Sequence, residues 1–331
     1  MKILITGGSG FIGTNLIDLL LTKEDIQILN YDKSAPVKES HARFWTNGNI
    51  MDPAFMCQTF KEFLPDSVIH LAARTDTLSD QLADYAENTV GTQNVLDAIK
   101  KTSSIKHAII TSTQYVYKSD YQPYPSHDED FLPHTVYGQS KVLTEQFTRS
   151  ADLACNWTII RPTNIWGPWH MRYPNELWKV IDKGVYFHPV NHSVLRTYGY
   201  VKNIVHQIHQ IMIASPSLVH KKMYYVGDAP IDSFKWLDEL SVQMTQKHLK
   251  RLPKFIFQGI AIGGDMLRAM RVPFPLYSKR FKNMIEDYPA PTAITIKLFG
   301  QAEADLKHNV EETLEWLKAE GKPHFDHWKN K

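Results

Sequence analysis

The sequence predicts an α/β protein in which a doubly wound parallel sheet carries a smaller C-terminal region. Three observations predict it: short aliphatic runs alternate with helical patterns, the first run ends in a cluster of glycines, and the alternation stops near Asn164. The runs expected to be strands are residues 3–6, 26–31, 67–71, 107–112 and 157–161, and the helical patterns lie near 12–22, 88–101, 136–154 and 201–214. A strand that returns to its sheet through a helix must run parallel to the strand before it. After Asn164 the chain turns rich in Trp, Pro, His and Tyr, a texture of loops and short elements.

The length of 331 residues suits about two domains in one chain. The expected division is a dinucleotide-binding domain over 1–165, to which part of 196–228 returns, and a mainly substrate-binding region over 166–331. The 37 basic and 35 acidic side chains nearly cancel, so no field of one sign gathers a nucleic-acid backbone, and a small-molecule ligand is expected instead. Two cysteines, Cys57 and Cys155, make no disulfide framework or metal-ligand spacing, which fits a reducing cytoplasm. No apolar run reaches the roughly 20 residues that a membrane span needs. The most apolar late stretch, from Phe255 to Met270, is broken by Gln258, Gly263, Gly264, Asp265 and Arg268, and leaves only a peripheral membrane role open.

Residues 3–13 read ILITGGSGFIG, a strand entering a glycine turn and then an amphipathic helix that begins Phe11-Ile12. Without Cβ atoms, Gly7, Gly8, Gly10 and Gly13 let backbone N–H groups approach a pyrophosphate at the positive end of a helix. The spacing fits with either Gly7 or Gly8 as the first glycine. The second strand ends in Asp32, about twenty residues beyond the turn, where a carboxylate can take the ribose hydroxyls of NAD and repel the 2′-phosphate of NADP. Lys33 beside it could offset part of that repulsion.

Tyr137 and Lys141 stand four residues apart at the start of a helical segment, on one face. A phenol is a poor base at neutral pH, but a nearby ammonium favours its phenolate, which suits exchange of a hydroxyl proton while hydride moves to or from a nicotinamide.

These residues resemble the extended short-chain dehydrogenase/reductases, in particular the NAD-dependent epimerase/dehydratase branch that includes the nucleotide-sugar epimerases. The resemblance covers nearly all of 1–230 and rests on TGGSGFIG (6–13), Asp52 in GNIMD, HLAA (70–73), Asn88 and Gly91 in ENTVGTQNVLDA, TSTQYVY (111–117), YGQSK (137–141) and RPTNIWGP (161–168). It implies a Rossmann-type fold and an acid/base pair of Tyr137 and Lys141, with Thr113 orienting the substrate oxygen. It places Ile50, Met51 and Asp52 near the adenine, Leu71, Ala72, Ala73 and Asn88 along the dinucleotide, and Pro162 near the nicotinamide. Arg74, Thr75, Asn164 and Arg196 are its candidates for substrate contact, Arg196 as a fork for a diphosphate. Gln114-Tyr115 stands where the 4,6-dehydratases carry Asp-Glu, which argues against dehydration, and Asn203 replaces a familiar Asp.

The expected activity is an epimerase of nucleotide sugars that forms a transient keto sugar and regenerates NAD each cycle, in a cytoplasmic homodimer. Its rivals are a net reductase or dehydrogenase of a keto sugar or steroid-like secondary alcohol, and a non-catalytic NAD(P)-sensing regulator. No metal is expected: His206 and His209 lack a third ligand at a recognisable spacing, and His188 and His192 flank a loop. The aromatics Trp166, Trp169, His170, Tyr173 and Trp178 could stack on a base or pack a lid onto the body.

Overall fold

In a computed structural model of the chain, the described residues are 1–118, 127–170, 172–190, 192–272, 274 and 276–320. Pro273 and Pro275 of the late VPFPLYSKRFKNM stretch lie outside them. The chain divides into two compact units: Met1–Ile165 with Gly199–Ala229 and Pro291–Glu303, and Trp166–Tyr198 with Pro230–Ala290 and Ala304–Lys331.

The first unit is built on β1 (Lys2–Thr6), β2 (Gln27–Asp32), β3 (Trp45–Asn47), β4 (Ser67–His70), β5 (His107–Thr111) and β6 (Asn156–Pro162), with Lys222–Val226 as a seventh strand. Their order is Lys222–Val226, β6, β5, β4, β1, β2, β3, and every pairing is parallel. The α/β, Rossmann-type doubly wound sheet expected from the sequence is therefore present. Strand alternation splits the core in two. Ile3 and Ile5 of β1 pack with Leu16, Ile17 and Leu20 of α1 (Phe11–Leu20) and with Ile204 and Ile208 of the helix Val201–Ile213. Leu4 faces the other way, toward Met56 and Phe60 of α2 (Pro53–Phe63) and Val95 and Ile99 of α3 (Thr92–Lys100). Each such aliphatic side chain taken fully out of water contributes about 1.5–3 kcal/mol before chain entropy is counted.

The order reverses between β1 and β4: the chain winds outward from β1 to β3, then crosses to β4 on the other side of β1. In an open parallel sheet such a switch leaves a crevice at the carboxyl ends of the strands, where ligands bind. Thr6 ends β1 there, opposite His70 at the end of β4.

In the second unit the helix Ser233–Thr245 packs against Leu306–Ala319, and Lys254–Ala269 packs against Ser278–Ile285. Trp236 is its aromatic centre, stacked on Tyr198 at 4.1 Å and meeting Trp166 edge-on at 5.6 Å.

Candidate active site

The glycine turn closes at the end of β1. Gly7 has φ +75, and a Cβ there would stand 2.5 Å from the Ala72 backbone nitrogen; one on Gly13 would stand 2.6 Å from the Gly7 carbonyl oxygen. Gly8 abuts the side chain of Asn30, so both glycines at the first position are sterically required. Gly10 opens α1 with no side-chain cap and no acidic residue in the first turn, which Phe11 and Ile12 begin, and this keeps the positive helix end suited to an anion. Asp32, at the end of β2, accepts the Ser9 N–H at 3.0 Å and the Ser34 N–H at 2.9 Å. Lys33 is drawn away to Glu87, at 3.2 Å.

Just past the end of β5, the Thr113 side chain comes close enough to the Tyr137 phenol to lower its pKa, and its Oγ1 accepts the Tyr115 N–H at 3.3 Å. Tyr137 lies in the first turn of α4 (Val136–Ser150), where Thr135 Oγ1 accepts the Gly138 N–H at 3.0 Å. One turn on, Lys141 is buried and donates to the Thr111 carbonyl at 2.7 Å. The three residues expected to carry the chemistry therefore come together, but the electrostatics correct one expectation. Burial pushes the Tyr137 phenol up to about 12, opposed by the Thr113 hydrogen bond, and burial pushes the Lys141 ammonium down to about 8, opposed by Glu145. Desolvation, rather than the expected favourable charge of Lys141, dominates the phenol, which keeps its proton at neutral pH.

The profile of the NAD dependent epimerase/dehydratase family matches residues 3–227. The chain belongs to this family. Its relatives include an N-acetyl-α-D-glucosaminyl-diphospho-ditrans,octacis-undecaprenol 4-epimerase from Escherichia coli O157:H7, 28% identical over 83% of this chain and 76% of that protein. A 3β-hydroxysteroid dehydrogenase/Δ5→4-isomerase from Mycobacterium tuberculosis is 27% identical over 82% of this chain and 76% of its own length. The fold matches a UDP-glucose 4-epimerase from Thermotoga maritima with a TM-score of 0.73 at 21% identity, covering 97% of this chain and all of that one.

Family membership makes the protein an NAD-dependent enzyme, and the first unit fits that cofactor. The glycine cradle that any Cβ would fill, the uncapped start of α1 and the carboxylate of Asp32 form a donor and acceptor set for a pyrophosphate and a ribose. With Lys33 paired to Glu87, the cation that could have welcomed a 2′-phosphate is engaged. Ile50 is buried against Gly91, Met51 is exposed beside it, and Asp52 caps α2 by accepting the Phe55 N–H at 3.1 Å. Leu71 and Ala72 pack into opposite faces of the core, and Ala73 continues the loop. Asn88 clamps that loop: it accepts the Arg74 N–H at 2.8 Å and donates to the Arg74 carbonyl and to Ser140 Oγ, each at 2.9 Å. Pro162 ends β6, and the half-buried Asn164 beyond it has a side-chain amide nitrogen with no partner among the described residues.

Arg74 and Arg196 are engaged by other groups of the protein. Arg74 folds back on Asp76 at 2.8 Å, on the Asp84 carbonyl at 2.7 Å and over the Tyr85 ring, while Thr75 is exposed. Arg196, in the second unit, donates to the main-chain carbonyls of Asn283 and Glu286, where the helix Ser278–Ile285 ends. Its charge answers the negative helix end through one guanidinium nitrogen, Nη2. The aromatics after Asn164 pack into their own unit: Tyr173 on Trp178 and Trp236, and Trp169 on Trp316. Among the described residues no three His, Cys, Asp or Glu side chains gather as a metal site.

A buried network escaped the sequence reading. Arg161 of β6 grips Glu145 of α4 with two bonds of 2.8 Å, Ser112 Oγ donates to the same carboxylate at 2.6 Å, and Tyr225 Oη accepts from Arg161 at 3.1 Å. Under the glycine turn, the ring of His70 lies 2.7 Å from Thr6 Oγ1 and 3.2 Å from Thr92 Oγ1. Its pKa is lowered to about 3, by burial first and then by Lys141.

Proposed function

We propose that the protein is an NAD-dependent 4-epimerase of a sugar carried on a diphosphate, with a nucleotide sugar as the substrate to test first. The observation that carries this reading is the buried Tyr137 beside Thr113, with Lys141 buried one turn further along α4, in the same unit as the glycine cradle. When bound, NAD supplies the hydride acceptor and donor, and its pyridinium charge lowers the cost of a phenolate.

In the oxidising half of the cycle, Tyr137 as phenolate takes the sugar hydroxyl proton while Thr113 holds the same oxygen and the carbinol carbon gives up hydride. The keto sugar turns over, receives hydride on its other face, and takes back the proton from the Tyr137 phenol. Protons and electrons balance within each turnover. The raised phenol pKa keeps Tyr137 protonated until the return half, where it gives the proton back, and the positive charges of Lys141 and bound NAD would favour the phenolate needed in the first. The side chains after Thr113 are Gln114 and Tyr115, neither a carboxylic acid, so the pair that would expel water is missing.

A screen of UDP-, GDP- and dTDP-sugars with product identification tests the proposal. The expected result is interconversion of two epimers with no net absorbance change at the reduced-cofactor wavelength. The likeness to a 3β-hydroxysteroid dehydrogenase/isomerase supports a second reading, net oxidation of a secondary alcohol. Stoichiometric reduction of added NAD, with no epimer formed, would establish that reading instead.

A further inference from the structure

The helix Lys254–Ala269 has two apolar sides. Its inner stripe is used: Phe257 stacks on Phe281 at 6.2 Å, Ala261 is buried, and Gly264 lies so close to the Leu276 carbonyl that no Cβ fits. The outer stripe is uncovered. Phe255, Ile262 and Met266 are 70%, 54% and 65% exposed, and Met270, just past the helix end, is 72% exposed. At about 100° per residue the first three fall within about 40° of one another, on the side where a surface helix of a globular protein normally carries charge. A contiguous row of large exposed apolar side chains marks an interaction surface.

Charge decides what the surface meets. The whole chain carries a formal charge of only +2, yet residues 247–282 hold nine Lys or Arg against one acid, Asp265. That acid is occupied, accepting the Ser278 N–H at 3.2 Å and the Ser278 hydroxyl at 2.5 Å. Lys282 and Arg280 are compensated locally by Glu286 and Glu176, while Lys254, next to Phe255, and Arg271, next to Met270, are exposed at the two ends of the apolar stripe. Two copies of so basic a segment repel each other, whereas an anionic bilayer attracts it and gives the apolar row a place to bury. No helix among the described residues is long and apolar enough to cross a membrane, so the element lies in the interface rather than through it.

We infer that the outer stripe of Lys254–Ala269 docks the protein on an anionic lipid surface. The inference is independent of which alcohol or sugar the enzyme oxidises. Co-sedimentation of the full chain with vesicles of phosphatidylcholine alone, or of phosphatidylcholine mixed with phosphatidylglycerol, tests it. Wild type is expected to bind the mixed vesicles, weakly at high salt, and to stay off the neutral ones. The double variant Phe255→Ser, Met266→Ser should lose about tenfold or more in partitioning, since each side chain leaves a buried apolar site, while NAD binding and melting temperature stay as in wild type. Lys254→Glu with Arg271→Glu should weaken binding at low salt. Absence of wild-type binding to mixed vesicles, or binding undiminished in the Phe255/Met266 variant, overturns the inference. So does a wild-type dimer that dissociates in that variant without any vesicle binding, which would assign the stripe to a second copy of the chain.

Discussion

Tyr137 illustrates how far a single residue can be read from a string of letters. Its spacing from Lys141 put both on one helix face, and the structure buries that face beside Thr113. Their ionisation was not legible, because desolvation depends on neighbours distant in sequence. Tyr137→Phe is expected to lower kcat by at least about a hundredfold while NAD affinity in titration stays within experimental error, since it removes the proton and keeps the ring. Activity above roughly a tenth of wild type would take Tyr137 out of the acid/base role. Arg196 reads differently in sequence and in structure: the family resemblance implied a fork for a diphosphate, but its guanidinium ends a helix through the Asn283 and Glu286 carbonyls. Arg196→Ala should therefore destabilise the protein by about 1–3 kcal/mol, read as a drop in melting temperature, with the Michaelis constant for a nucleotide sugar unchanged. A raised Michaelis constant at unchanged stability would return Arg196 to the substrate.

Among the elements, those with a period were legible and those without were not. The expected strands at 3–6, 107–112 and 157–161 match β1, β5 and β6 to within about two residues. β3 was missed because three residues, Trp45–Asn47, are too few to show alternation. α2 was missed because its N-cap, Asp52, was read only for its place in the resemblance, although the same carboxylate caps the helix. The helix α4 was found by its motif, yet much of its buried face is polar, with Ser140, Lys141, Thr144 and Glu145 at 1% exposure or less. It can be buried because each finds a partner on another element: Asn88, Thr111, Ser112 or Arg161. Glu145→Gln would leave the Arg161 guanidinium buried without its counter-charge. It should cost about 3–5 kcal/mol in denaturant unfolding, and Arg161→Met combined with it should recover part of that loss. A single variant as stable as wild type would show that the pair does not hold α4 to the sheet.

For the whole molecule, pH is the lever that the buried histidines set. Burial lowers the pKa of His70 to about 3, and those of His170 and His188 to about 4, against 6.5 for a histidine in water. Between 6.5 and those values the unfolded chain binds protons that the folded chain refuses, so stability falls as pH drops through that window and is fully present above it. One shift the size of that at His70 is worth on the order of a few kcal/mol. His70→Gln, which can still bond Thr6 and Thr92 and does not titrate, should flatten the fall of melting temperature between pH 6.5 and 4. An unchanged slope would place the acid sensitivity elsewhere. The sequence by itself determined the doubly wound sheet, the cofactor class and the shared helix face of Tyr137 and Lys141, because each is written in local spacing: strand and helix periods, glycines a turn apart, side chains four apart on one face; Thr113 entered only through the family resemblance. Only the tertiary structure decided that Pro291–Glu303 joins the first unit, that Arg161 meets Glu145, that Arg196 ends a helix, and that burial raises the pKa of the Tyr137 phenol. The reason is common to all four: contact partners and local dielectric are properties of residues brought together from distant parts of the chain, and no pattern within a short window of sequence encodes them.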